Sequence, residues 1–470
     1  MSDIDYSKLK FKSGLEIHQQ LDTHKLFCNC PSILRGDLPD FYVERKLHAV
    51  AGESGEVDRA AEYQASLKKT FVYQGYRNST CLIELDEEPP HEINEDALKI
   101  ALQIALLLNC KIIPVTQIMR KTVIDGSNTS GFQRTVLIAR DGYVETAFGR
   151  VGIETICLEE DAARKVKVEG EKVYWNLDRL GIPLVEIATS PDIKSAEQAK
   201  EVAMYIGDVL RSCKVKRGIG TIRQDVNISI LEGNRVEMKG VQDMRTFIKT
   251  IENEVLRQKE LYDEGTPTQP EVRNALPDSS SEFLRPMPGA DRMYPETDLP
   301  LLKLSRDFID SLKKDLPKLR SESAGELRER GLSEEMVKLI LGEDKIEELK
   351  SLAEIYSNLN FIAKMIVLFP KEIASKENKT LEEVEEQVMD YYGDILRLLN
   401  KKKIVEGDVK DILINLVKGM DFKEAIKIEK VDNSEIEEEI LKIIKEKPGL
   451  NANAYMGLVM AKFKGKINGK

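Results

Sequence analysis

The chain has 470 residues, 41% of them apolar, with 70 Lys and Arg against 81 Asp and Glu. That length supports two or three domains with a sizeable core, and the mixture of apolar and charged residues excludes a disordered chain. No run of eighteen apolar residues occurs, so no membrane-spanning helix is expected, and the acidic balance excludes a general nucleic-acid coat while leaving room for a local basic patch.

The opening MSDIDYSKLK is polar and has no apolar h-region, so it does not read as a secretory signal. Six cysteines scattered through a long chain fit reduced thiols in the cytoplasm better than a disulfide framework. In GLEIHQQL (14–21) polar and apolar residues alternate. On a strand Glu16 and His18 therefore share one face, while Leu15 and Ile17 share the other. Asn94, with Glu95 and Asp96 behind it, opens a helix whose apolar residues continue to Leu108. VGIETICL (151–158), IPLVEIA (182–188), TIRQDVNISIL (221–231) and RVEMKGV (235–241) read as strands. Ser195 and Gln198 make a capping box for a helix running to about Cys213. A further helix runs from about Met244 to Glu264 and stops at Gly265, with Pro267 beyond. Strands and helices in irregular order predict an α+β domain with a mostly antiparallel sheet over residues 1–300. From 301 the texture turns helical, giving a helical domain over 301–405 and a small helical tail domain over 406–470. Within it, ERGLSEEM (329–336) marks a junction where Gly331 ends one helix and Ser333 caps the next.

Several catalytic signatures are absent. There is no G-x-x-x-x-G-K-[ST] loop and no G-x-S-x-G elbow. The DSSS stretch (278–281) reads as a polar loop rather than an amide-hydrolase motif. The acids on strands carry more information. Arg223, Asp225 and Asn227 share one strand face, Glu186 sits in apolar company, and the adjacent Glu159 and Glu160 of LEEDAARK must point to opposite faces if extended. Carboxylates converging from several strands suit a Mg²⁺–nucleotide site, since Mg²⁺ takes oxygen ligands and keeps waters. Taken one at a time, each acid reads more simply as a solvated residue on an exposed face.

The motifs GLEIHQQLDTHKLFC (14–28), LEEDAARK (158–165), LDRLGIPLVEIATSPDI (177–193), RQDVNISI (223–230) and RPMPGADRMYPETDLP (285–300) together resemble the B/E family of tRNA-dependent amidotransferases. TCLIELDEEPPHEIN (80–94) and RPMPGADRMYPETD are similar to its archaeal E branch. The resemblance covers the chain from about residue 10 onward. It implies ATP-dependent conversion of Glu-tRNA(Gln) to Gln-tRNA(Gln) through a γ-glutamyl phosphate. The enzyme it implies is a carbon–nitrogen ligase whose ammonia comes from an asparaginase-like amidase, the family's D-type partner, in a heterodimer or larger assembly. Carried over by motif, His18, Glu160 and Glu186 hold Mg²⁺, and Glu16 and Asp225 serve a second metal or the nucleotide. Arg223, Glu237 and Lys239 then contact phosphate or the glutamyl group, with plain ion pairing as the other reading. A B-type protein with Asp/Glu specificity and a non-catalytic tRNA-binding adaptor are the alternatives.

Three further features bear on the resemblance. Cys28 and Cys30 read either as half of a Zn²⁺ site, with Cys81 and His91 as partners, or as inert buried thiols. The E branch usually carries an inserted domain similar to part of aspartyl-tRNA synthetases, yet LYDEGTPTQPEVRNALPD (261–278) passes directly between flanking motifs. The tail, with Lys462, Lys464 and Lys466, is expected to meet phosphates of tRNA(Gln).

Overall fold

The computed structural model describes residues 4–51, 55–57, 59–231, 233–266, 268–287, 292–343, 345–427 and 433–462. Pro267, Lys464 and Lys466 lie outside the described residues. The chain divides into two compact units, 1–319 and 320–470.

The first unit is built on an eleven-stranded sheet. Its main path uses β1 (Lys12–Gln20), β2 (Ile118–Thr122), β3 (Phe132–Thr146), β4 (Gly149–Glu160), β5 (Pro183–Thr189), β6 (Ile222–Ser229), β7 (Val236–Lys239), β8 (Glu271–Ala275), β9 (Ser281–Pro286) and β10 (Met293–Pro295). The order is β9-β8-β7-β6-β1-β5-β4-β3-β2-β10, which sets β1 in the middle. Neighbours run antiparallel except β7 and β8, which are parallel. A second sheet of four strands pairs Thr70–Gly75 in parallel with Lys172–Asn176. The fold is thus α+β with mixed sheets. The parallel pair arises because the helix Phe247–Asp263 carries the chain from the end of β7 back to the level of its start, so β8 runs in the same direction.

The alternation seen in the sequence becomes a two-faced sheet. Leu15 and Ile17 of β1, Val185 and Ile187 of β5, and Val226 and Ile228 of β6 point to one face and are buried in a single core. Three helices cover that face: α1 (Glu95–Leu107), α2 (Ala196–Ser212) and α3 (Phe247–Asp263). Their starts and stops follow the sequence signals. The Asn94 side chain accepts from the N–H groups of Asp96 and Ala97. Ser195 accepts from Gln198, and Gly265 closes α3 with φ +76°. Such caps satisfy N–H groups that a helix end leaves orphaned.

The unit boundary falls beyond the change of texture at 300. Leu302–Lys303 pairs with Val115–Thr116, and Leu304 and Leu312 are buried in the core of the first unit. Helical texture marks secondary structure, whereas membership of a core decides the unit. The expected boundary at 405/406 fails for the same reason. Val409, Ile412 and Leu413 share one buried cluster with residues from Ala324 to Ala425. Among the described residues no helix is long and apolar enough to cross a membrane.

Candidate active site

The polar face of the sheet gathers side chains from five strands around β1. His18 lies directly across from Glu186 on β5 and from Arg223 on β6, and Glu16 lies across from Asp225. Directly opposed residues on one face hold their Cβ atoms about 5 Å apart, so charged groups are forced together here. His18 Nε2 is 3.1 Å from Glu186 Oε2 and 3.5 Å from Glu16 Oε1. Lys121 of β2 reaches Glu159 Oε1 at 2.6 Å and Glu186 Oε2 at 3.5 Å. On the other side Lys239 Nζ is 2.6 Å from both Asp225 Oδ2 and Glu237 Oε1, and the Gly240 N–H donates to Asp225 at 3.1 Å. Arg223 donates to Asp161 at 2.8 Å.

Two sets of metal-ligating atoms result among the described residues. Glu16, His18 and Asp225 offer ligand atoms within 4.8 Å of one another, and so do His18, Glu159 and Glu186. Burial opposes charge at Glu16, His18, Glu159 and Glu186, and the neighbours decide the outcome. Burial and the Glu186 charge push Glu159 and Glu16 upward. At Glu186 burial is outweighed by Lys121 and by the His18 hydrogen bond, which hold its carboxyl well below the usual range. At His18 burial is outweighed by the Glu186 hydrogen bond and charge and by Glu16, so the ring holds its proton more tightly than a free histidine. Carboxylates crowded beyond what their own cations balance form a cradle for a divalent ion.

Glu160 is not in this group. Glu159 pairs with Leu184 and Glu160 with Pro183, and successive residues of a strand face opposite ways. Glu159 therefore shares the face of Glu186. Glu160 Oε2 accepts from the Arg134 backbone N–H at 3.2 Å and faces its guanidinium at 3.4 Å. Arg134 in turn donates to Glu296 at 2.9 Å. The carboxylate that converges with His18 and Glu186 is thus Glu159, where Glu160 was expected. Lys121 had no signal in the sequence, because IMRKT shows adjacent cations on a strand and nothing that says which one turns inward.

The acids floor a cavity of about 780 Å³ that extends to the small sheet. Its walls include Trp175 and Lys165 on that sheet, together with Lys69, Arg285 and Arg292.

A separate cluster lies at Cys28 and Cys30. Cys28, Cys30, Cys81 and Glu84 bring their ligand atoms within 4.8 Å of one another. His91, the expected fourth partner, is not among them; its backbone N–H donates to Phe27 O. Glu84 accepts from the Cys81 N–H at 2.7 Å and from the Cys28 thiol at 3.3 Å, and it faces the fully buried Lys25 ammonium at 2.7 Å. Hydrogen bonds from Cys28 and then Cys30 draw the Cys81 thiol far down, while bonds to Cys30 and Cys81 push Cys28 up. Three sulfurs beside a carboxylate, their ligand atoms converging, make a donor set that fits tetrahedral Zn²⁺. His24 is exposed, and its Nδ1 bonds the carbonyls of Lys25 and Cys28.

The sequence matches the GatB/GatE catalytic domain over residues 11–310. It is 36% identical to the E-type chain of glutamyl-tRNA(Gln) amidotransferase from Methanocaldococcus jannaschii, over all of this chain and 98% of that protein. The corresponding E-type chain of Methanosarcina acetivorans is 34% identical over all of this chain and 97% of that protein. That of Methanothermobacter thermautotrophicus is 35% identical over 87% of each. The alignment with the M. jannaschii protein runs to 621 residues where this chain has 470, so long stretches of it have no counterpart here.

Proposed function

The chain belongs to the GatB/GatE family, on its archaeal E branch, and from that premise we propose that it converts Glu-tRNA(Gln) to Gln-tRNA(Gln) with ATP and ammonia. A carboxylate is a poor acyl donor because oxide would have to leave. Transfer of the terminal phosphoryl of ATP to the γ-carboxylate gives ADP and an acyl phosphate. Attack by ammonia then forms the amide and releases phosphate.

His18, Glu159 and Glu186, whose ligand atoms converge, would hold one Mg²⁺, and Glu16 and Asp225 would serve a second metal or the nucleotide. Bound Mg²⁺ neutralises phosphate charge during transfer. Lys239 and Arg223 position Asp225 and Asp161 through ion pairs and line the same cavity. The chain has no amidase signature, so ammonia comes from an asparaginase-like amidase, the D-type partner, in a cytoplasmic complex. Lysines of the tail meet tRNA phosphates. The Cys28, Cys30, Cys81 and Glu84 cluster takes Zn²⁺ as a structural ion.

The observation that carries this reading is the convergence of two ligand sets, sharing His18, in one cavity. The test is amidation of Glu-tRNA(Gln) by the purified chain with ATP and ammonium, which bypasses the partner. Gln-tRNA(Gln) should form, and Glu159→Gln should abolish its formation while tRNA binding stays intact. Wild-type turnover by that variant would remove the metal assignment.

A further inference from the structure

The amidation chemistry draws on the acid cavity and makes no use of the thiols gathered at Cys28, Cys30 and Cys81. Their sulfurs and the Glu84 carboxylate lie within 4.8 Å of one another. That is a gap between sulfurs which side-chain rotation can close to the roughly 2 Å of a disulfide. All three cysteines are free thiols, but their access differs. Cys28 is buried, whereas Cys30 and Cys81 are partly exposed. A small oxidant in solution therefore reaches Cys30 and Cys81 first.

The three also differ in what they do for Glu84. That carboxylate is buried. It accepts from the Cys28 thiol at 3.3 Å and from the Cys81 backbone N–H at 2.7 Å, and it faces the Lys25 ammonium at 2.7 Å. A sulfur bonded to sulfur has no proton to donate. Drawing Cys28 into a disulfide would strip a buried carboxylate of a donor, which is unfavourable. Cys81 serves Glu84 through its backbone, a contact that a disulfide leaves in place. A bond between Cys30 and Cys81 thus keeps the Cys28 thiol, the Cys81 N–H and the Lys25 ammonium on Glu84.

We propose that this cluster is a peroxide-responsive modification site, at which Cys30 and Cys81 close a disulfide and release the ion that the four ligands would hold. The disulfide stands on the placement of the thiols, and only the release of an ion rests on the zinc reading above. The Cys81 sulfur attacks one oxygen of hydrogen peroxide, the O–O bond breaks, and water leaves with the thiol proton, giving a sulfenic acid. The Cys30 sulfur then displaces the hydroxyl, which departs as a second water with the Cys30 proton, and the S–S bond forms. Two electrons pass from the sulfurs to peroxide. The new bond joins the same two turns that the ion would join, so oxidation exchanges one brace for another.

The test treats the purified full chain, its zinc content measured beforehand, with hydrogen peroxide. The intact mass should fall by about 2 Da, and dithiothreitol should restore it. Peptide mapping without reduction should place the bond between Cys30 and Cys81. Zinc should leave in step with the disulfide. The oxidised protein should melt roughly 5–10 °C above the reduced, metal-free protein, because a long loop of the unfolded chain is closed. In Cys30→Ser the bond should not form, and dimedone should trap a sulfenic acid at Cys81. A bond mapped to Cys28, overoxidation of Cys81 with no bond, or thiols that survive peroxide while free glutathione is consumed would each overturn the proposal. If the bond forms in protein that never held zinc, the switch stands and the zinc reading fails. If zinc stays bound and the thiols resist, the zinc reading stands and the switch fails.

Discussion

Glu296 accepts from Arg120 at 2.5 Å and from Arg134 at 2.9 Å, and its side chain is fully buried. Arg134 also faces Glu160, so two acids and two guanidinium groups form one internal chain of charge. Burial alone would raise the Glu296 carboxyl, but the Arg120 hydrogen bond, the Asp298 N–H and Arg134 hold it below its ordinary value. A depressed carboxylate stabilises the fold above its unfolded pKa of about 4.3, and the contribution is lost as pH falls through the folded value. Glu296→Gln should therefore cost about 3 kcal/mol near neutral pH, because a buried guanidinium loses its partner. It should also flatten the acid limb of stability against pH, a slope that urea melts below about pH 5 measure directly. An unaltered acid limb would show that the network does not carry this charge. Glu160→Gln belongs to the same chain and should lower the melting temperature while leaving amidation largely in place, the reverse of Glu159→Gln. The sequence already says that these neighbouring acids face opposite ways. Which one faces the site depends on pairing Glu159 with Leu184, and that register is a long-range fact no local pattern contains.

Elements defined by local chemistry were readable from the residues. Asn94 and Ser195 cap helices, and Ser333 accepts from the Met336 N–H just after Gly331 takes φ +86°. Each of these signals lies within one turn of the structure it sets. Features made by distant segments were not readable. The parallel partner of β7, the attachment of 301–319 to the first core, and Glu84 rather than His91 as the fourth member beside Cys28, Cys30 and Cys81 all need closure across many residues. The cysteine cluster joins two turns, and Lys25 links it to Ser79 O and Leu177 O. A structural ion there would brace both turns. One Zn²⁺ per chain should appear on elemental analysis, Cys81→Ser should release it and lower the melting temperature, and Glu84→Cys should retain it, since Zn²⁺ accepts a fourth thiolate readily. ATP affinity should stay unchanged in both variants, because the cluster lies outside the lining of the acid-floored cavity. Metal-free protein with an unshifted melting point in Cys81→Ser would leave these cysteines as inert thiols.

At the scale of the molecule, the residues proposed to act on substrate all lie in 1–319, and the sequence of the second unit closes with Lys462, Lys464, Lys466 and Lys470. A cut made at the change of sequence texture, removing 406–470, would test the wrong thing. It would strip Val409, Ile412, Leu413 and Val417 from the core they share with Ile362, Ile366 and Leu396. Losing that many buried aliphatic side chains, each contributing about 1.5–3 kcal/mol, would unfold the helical unit. Removal of residues 428–470 spares that cluster, whose last buried member is Ala425. It deletes the helices Asn433–Glu446 and Ala452–Lys462, which pack on one another, together with the lysines beyond them. If those lysines meet tRNA phosphates, the truncated chain should keep its melting profile and its turnover at saturating Glu-tRNA(Gln), while its KM for tRNA rises. The dependence of tRNA affinity on salt should become shallower at the same time, because fewer counterions are released per complex. An unchanged KM with an unchanged salt slope would place the tRNA contacts in the first unit.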